Sequence, residues 1–239
     1  MAHNFKGKNI LIVGGSSGIG EASARAFALS GALVTIASRN PAKLAAASKR
    51  IGHNTKTAVL DATNDSALQA WFEATGEFDH VLISAAQTPT GPVRKLPMEE
   101  ALQAMNSKFW GAYRVARHVR IREGGSLTLV SGFLSVRPGT AVLQGAINAA
   151  LEALGRGLAL ELAPNKVRVN TVSPGLIATP LWDRMDDTAR QAMYERAATT
   201  LPARALGQPE NVADAVLYLA GNPYATGSTV LVDGGGAIA

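Results

Sequence analysis

ILIVGGSSGIGEA, residues 10–22, decides how the rest of this chain is read. Ile10–Val13 form a short apolar run of the kind that makes a buried strand. Gly14, Gly18 and Gly20 follow at once. An alanine-rich amphipathic run then reaches Gly31, which is placed to close a helix. Strand, glycine turn and helix in that order suit a pyrophosphate. Glycines let the backbone come close, and the helix start offers free N–H groups and the positive end of its dipole. Ser16 and Ser17 add hydroxyl donors, and Ile19 sits between the last two glycines. An ordinary tight turn would explain the glycines alone, but not the strand and helix that flank them.

The same alternation runs outward from this turn. Apolar strand candidates at 32–38, 56–61, 79–86, 126–132, 166–175 and 228–235 are separated by helical patterns at 41–52, 65–76, 98–120, 142–163, 180–200 and 209–221. Strands that are apolar on both faces, each followed by a helix, predict a parallel sheet covered on both sides. The expected fold is therefore α/β, a single doubly wound Rossmann domain over 1–239 with about seven strands. Another open α/β sheet, such as a flavodoxin-like one, would share the alternation but not the glycine turn.

Composition narrows the function classes. The chain has 239 residues, of which 47% are hydrophobic and 17% charged, which suits a folded domain with a substantial core. The net charge is +5, from 23 basic against 18 acidic residues, and the basic ones are scattered with no basic run, so neither nucleic acid nor a membrane surface is an expected partner. Cysteine is absent, and the four histidines, His3, His53, His80 and His118, form no ligand-spaced pair, so no metal site is expected. No long apolar segment or signal peptide is evident, and a cytoplasmic location is the expectation.

The spacing Gly14-x-x-x-Gly18-x-Gly20 resembles that of the short-chain dehydrogenase/reductase family. So do LDAT (60–63), AALEALGRGLALELAP (149–164), VSPGLIATP (172–180) and LVDGG (231–235). The resemblance covers nearly the whole chain. It implies a nicotinamide dinucleotide held by the glycine turn, with Asp61 and Ala62 framing the adenine. Ser84 and Ala85 would lie along the ribose, in a stretch where the family's Asn-Asn-Ala-Gly reads Ile83-Ser84-Ala85-Ala86. Pro174, Gly175, Ile177 and Thr179 match the segment that contacts the nicotinamide amide. The second strand ends in Ser38 and Arg39, with Lys43 a turn further on. A guanidinium there pairs with a 2′-phosphate, whereas a carboxylate would favour a free 2′-hydroxyl. NADP(H) is thus expected over NAD(H).

The resemblance also implies a Ser, a Tyr and a Lys for the chemistry, with an Asn from the preceding long helix. Ser131 and Asn106 match two of these. The Tyr position is Gln144 and the Lys position is Asn148, which share one helical face. Neither amide titrates near neutral pH, so neither can act as a general acid or tune one. The family suggests an oxidoreductase acting on a small molecule, here with altered proton delivery. The alternative is a silent member that binds NADP(H) as a sensor or serves as a partner subunit. A lid is expected at 178–207, where Trp182, Met185, Met193 and Tyr194 could meet an apolar ligand or merely pack. The family also implies a homodimer or homotetramer, with Phe109, Trp110 and Tyr113 as candidates for a helix–helix seam.

Overall fold

The computed structural model describes residues 4–86, 89 and 91–239, which leaves His3 outside the described residues. Seven parallel strands form one sheet in the order β3-β2-β1-β4-β5-β6-β7. They are β1 (Asn9–Val13), β2 (Leu33–Ser38), β3 (Lys56–Val59), β4 (Phe78–Ile83), β5 (Ile121–Val130), β6 (Arg168–Pro174) and β7 (Thr229–Val232). The helices are α1 (Gly18–Leu29), α2 (Pro41–Ile51), α3 (Asp65–Ala74), α4 (Met98–Met105), α5 (Gly111–His118), α6 (Val142–Glu161), α7 (Asp187–Thr200) and α8 (Pro209–Gly221).

Strand β1 shows why both faces of the sheet are covered. Ile10 and Ile12 join Phe27, Leu44, Val212 and Val216 in one buried cluster. Leu11 and Val13 point the other way, onto Leu68, Phe72, Val115 and Leu151. Alternate residues of one strand thus feed two separate apolar layers, as the period of two requires. The chain runs outward from β1 through β2 to β3, then returns to β4 on the other side of β1. That reversal opens a crevice at the carboxyl ends of β1 and β4.

Local chemistry moves several expected boundaries. The strand expected over 79–86 stops at Ile83, because Ser84 N and Ala85 N both donate to Val13 O and turn the chain over the glycine loop. The helix expected over 98–120 is interrupted by a π turn at Asn106–Trp110, between α4 and α5. A π turn admits one extra residue per turn and often marks a functional site. The last strand ends at Val232, before Gly234 and Gly235 turn with positive φ. The excursion at 178–207 is pinched shut where Ala178 N donates to Gly207 O at 2.9 Å. Within it lie a short helical turn, Pro180–Trp182, and α7, capped by the Asp186 side chain accepting from Ala189 N. Among the described residues, no helix is long and apolar enough to cross a membrane.

His80 on β4 is a buried polar group that ties this core to pH. Its ring meets Phe5 edge-on at 5.4 Å, and Nδ1 hydrogen-bonds with Ser126 Oγ at 2.9 Å. Burial, helped by the positive Arg168, pushes the imidazole down from 6.5 to about 4 against the pull of Asp79. The unfolded chain therefore takes up a proton that the folded chain refuses, and stability falls as pH drops from 6.5 towards 4. Urea unfolding between those limits should show this as a slope of up to about 1.4 kcal/mol per pH unit, beyond the slope of a His80→Gln variant. Equal slopes in the two proteins would refute it.

Candidate active site

The glycine turn between β1 and α1 forms one wall of a cleft of about 1130 Å³. Its shape depends on close backbone approach. Gly14 has φ +93°, and a Cβ there would lie 2.5 Å from Ala85 N. A Cβ on Gly20 would lie 2.2 Å from Gly14 O and 2.6 Å from Ser84 Oγ. Ser84 fixes this junction from the far side, its hydroxyl donating to Val13 O at 3.3 Å. The N-cap of α1, Ser17, is extended and makes no side-chain cap, so the first-turn N–H groups have no capping side chain. The buried acid of that turn, Glu21, is held away from the loop by a bidentate pair with Arg50 at 2.7 and 2.8 Å. The end of the cleft at α1 is thus suited to an anion.

The cleft takes in Gly14, Ser16, Ser17, Gly18, Ile19 and Gly20, and beyond them Ser38, Arg39, Asp61, Ala62, Ser84, Ala85 and Thr179. Asn40 caps α2 by accepting from Lys43 N, which sets Arg39 and Lys43 at the mouth. Ser38 Oγ is buried and has no hydrogen-bond partner among the described residues. A buried hydroxyl of that kind invites a polar ligand. Asp61 Oδ1 accepts from Thr63 N and Thr63 Oγ1, at 2.9 and 2.8 Å, which leaves its other oxygen open to an incoming donor. The far wall comprises Thr179, Pro180, Leu181 and Arg184 from the excursion, and Glu100, Gln103 and Ser107 from the α4 side. The chemistry of the cleft's lining fits a dinucleotide. Pro174, Gly175 and Ile177 do not line it. Gly175 packs on Asp233, and Ile177 is buried in the core, with its carbonyl accepting from Trp182 Nε1 at 2.9 Å.

Beyond the cleft, two of the four residues expected to do the chemistry, Ser131 and Asn148, lie among buried polar groups. Ser131, past the end of β5, is buried, and its hydroxyl donates to Glu152 Oε1 at 2.8 Å. The same carboxylate oxygen accepts from Ser135 Oγ at 2.6 Å and Ser173 Oγ at 3.2 Å. Asn106 accepts from Arg114 Nη2 at 2.9 Å. Gln144 is half-buried and makes no side-chain hydrogen bond among the described residues. Asn148 is fully buried, and its Oδ1 accepts from Lys108 Nζ at 2.6 Å. Lys108 also donates to Ser131 O at 2.8 Å. Burial pushes this ammonium down from 10.5 to about 8, against the opposing pull of Glu152. Gly132 makes room for the pair, since a Cβ there would lie 2.7 Å from Asn148 Nδ2.

Lys108 and Glu152 were not anticipated from the sequence. The signal was present. Ala104, Lys108, Ala112 and Val115 follow one another at helical spacing, and all four are buried. A lysine on an apolar stripe is a charge that needs a partner. Among the described residues, no group of three or more His, Asp or Glu side chains is placed to hold a metal. Around the excursion, Met193 lines a second, smaller hollow of about 200 Å³ with Phe133, Leu176 and Leu201. Met185 is exposed. Burial raises the pKa of the Tyr194 phenol, which makes it a weaker proton donor. Trp110 and Tyr113 are partly exposed and stack edge-on at 5.6 Å.

A family model described as enoyl-(acyl carrier protein) reductase matches residues 13–236. The chain is 30% identical to a carbonyl reductase family member 4 from Danio rerio, over 94% of this chain and 96% of that protein. It is equally 30% identical to the 3-oxoacyl-[acyl-carrier-protein] reductase FabG of Escherichia coli, over 97% and 98% of the two chains. Among solved structures, a small-chain dehydrogenase in complex with NADPH superposes with a TM-score of 0.84 at 34% identity, covering 98% and 100% of the chains. An L-sorbose reductase from Gluconobacter frateurii, complexed with NADPH and L-sorbose, gives a TM-score of 0.90 at 25% identity over the full length of both chains. The chain belongs to the short-chain dehydrogenase/reductase family.

The close approach at Gly20 has a measurable counterpart elsewhere in the chain. Gly20→Ala forces its methyl into Gly14 O and should cost about 1–3 kcal/mol in urea unfolding. Gly157→Ala, on an exposed face of α6 with nothing within 4 Å of the new methyl, should instead stabilise by about 0.5–1 kcal/mol. Similar effects at the two positions would mean the turn is not packed as described.

Proposed function

We propose that this protein is an NADP(H)-dependent oxidoreductase for a small-molecule acceptor, with proton delivery altered by Gln144 and Asn148. The observation that carries the cofactor reading is the partnerless, buried Ser38 hydroxyl beside Arg39 and Lys43 at the mouth of the cleft. A 2′-phosphate would find a hydroxyl donor and two cations there. The first turn of α1, with Ser16 and Ser17, would receive the pyrophosphate, and Asp61 with Ala62 would frame the adenine. Thr179 would meet the nicotinamide end, with Pro174 and Gly175 shaping the backbone behind it. NADPH is bound in two of the similar structures, which supports the assignment. When bound, the reduced cofactor supplies a hydride.

This chain's own residues would set the rest of the chemistry. Gln144 offers a neutral amide N–H to an oxyanion and cannot give up a proton to it. The Ser131 hydroxyl donates to Glu152, so it can serve an acceptor only by leaving that carboxylate. The proton then comes from water or from the acceptor itself. Acceptors that remain stable after hydride addition, such as iminium ions or conjugated systems, suit this arrangement better than simple ketones. A silent binding subunit draws no support from the relatives, whose names are those of reductases and dehydrogenases.

Fluorescence titration should show tighter binding of NADPH than of NADH, and Arg39→Asp should lower NADPH affinity by about tenfold or more. Equal affinity for the two cofactors in the parent protein would refute the preference. Simple ketones should be reduced about 10²- to 10⁴-fold more slowly than by a relative with a positioned acid. Rates on ketones matching such a relative would refute altered proton delivery.

A further inference from the structure

Lys108 is a charge where the helix stripe calls for an apolar side chain. Taking an ammonium out of water is costly even after the surroundings relax. A methionine at this position would fill similar space without that cost. The chain keeps the lysine and builds around it. Two of its three N–H donors go to Ser131 O and Asn148 Oδ1, and the Glu152 carboxylate faces it electrostatically. Both acceptors belong to residues matching the family's chemical positions. Ser131 is gripped twice, by Lys108 at its carbonyl and by Glu152 at its hydroxyl. Asn148 lies one turn from Gln144 and one turn from Glu152 on α6, so the ammonium fixes the middle of a polar face. The π turn is the element that delivers it, since Lys108 is its one buried residue.

We propose that Lys108 is the positioning cation of this site: supplied from the π turn rather than from α6, it holds Asn148 and Ser131 in place and provides the positive potential towards which negative charge develops on a reduced acceptor. Fixed charge in a water-excluded site acts with little reorganisation, so a single buried ammonium is worth far more there than in solvent. The geometry also explains how Asn148 is accommodated. A lysine at 148 would set two ammonium groups against each other, whereas an amide oxygen accepts from one. The inference rests on the oxidoreductase reading, and its test separates the two.

Lys108→Met removes the charge and keeps the bulk. The double variant Lys108→Met with Asn148→Lys returns an ammonium from the facing helix. With saturating NADPH and a conjugated enone acceptor, whose carbonyl oxygen takes up negative charge as hydride arrives, Lys108→Met should lose about 10- to 100-fold in kcat while NADPH affinity holds. The double variant should recover most of that loss. The parent's activity should fall as pH rises through about 8, where Lys108 gives up its proton, and that limb should vanish in Lys108→Met. An undiminished kcat, or a loss that the relocated lysine does not recover, would overturn the proposal in favour of a packing role. One readout needs neither turnover nor a folded variant: an NMR titration of the Lys108 ammonium in the parent protein with and without NADPH. A charged Lys108 at pH 7 supports the proposal, and a neutral one overturns it. If the parent reduces no acceptor, the oxidoreductase reading fails, and the titration still decides whether a cation is held here.

Discussion

The contact between the glycine turn and the end of β4 is the constraint on which the rest depends. Val13 O receives two backbone N–H groups from Ser84 and Ala85, and Gly14 lies so close to Ala85 that no side chain fits between them. That contact sets β1 against β4 at the point where the strand order reverses. It aims the start of α1 into the crevice and leaves a cleft between the end of β2 and the excursion. The Glu21–Arg50 pair belongs to the same construction, because it neutralises the carboxylate nearest an anion site. Moving any one of these parts would disturb the others.

A second organisation lies deeper, where polar groups replace apolar packing. Three serine hydroxyls converge on one oxygen of Glu152, and the Lys108 ammonium bridges the Ser131 backbone and Asn148. Each serine hydroxyl and the lysine ammonium finds at least one acceptor, which favours such a network in a core. The network joins β5, β6, α6 and the π turn at a single place. It therefore fixes how the far end of the cleft is presented, independently of the two apolar layers that hold the sheet together.

The fold was legible because its physics is local and repeated. Apolar runs, glycine turns and helix stops each announce themselves, and both faces of β1 are written in alternate residues. The cleft was legible for the same reason, since Gly14, Gly18, Gly20, Ser38 and Asp61, which line it, lie close in sequence to the strand ends that place them. The chemical end was harder to read. Position assignment shows that Gln144 and Asn148 are amides, but not that a lysine forty residues earlier reaches across to one of them. That pairing depends on a π turn inside a run that reads as one continuous helix. Ser131 likewise reads as a free hydroxyl until the fold brings Glu152 beneath it. Pro174, Gly175 and Ile177 adjoin the site in sequence, yet Pro174 and Ile177 are buried in the core and the Gly175 backbone packs on Asp233.

The pinch between Ala178 and Gly207 has a consequence of its own. It closes the excursion into a loop whose two ends are already neighbours, so lengthening the loop raises the entropy of closure only slowly. The strands do not register what happens between those ends. The middle of the segment, around α7, can thus change in length or sequence without shifting the strand register, whereas Thr179, Pro180, Leu181 and Arg184 near its start line the cleft, and changes there reshape it.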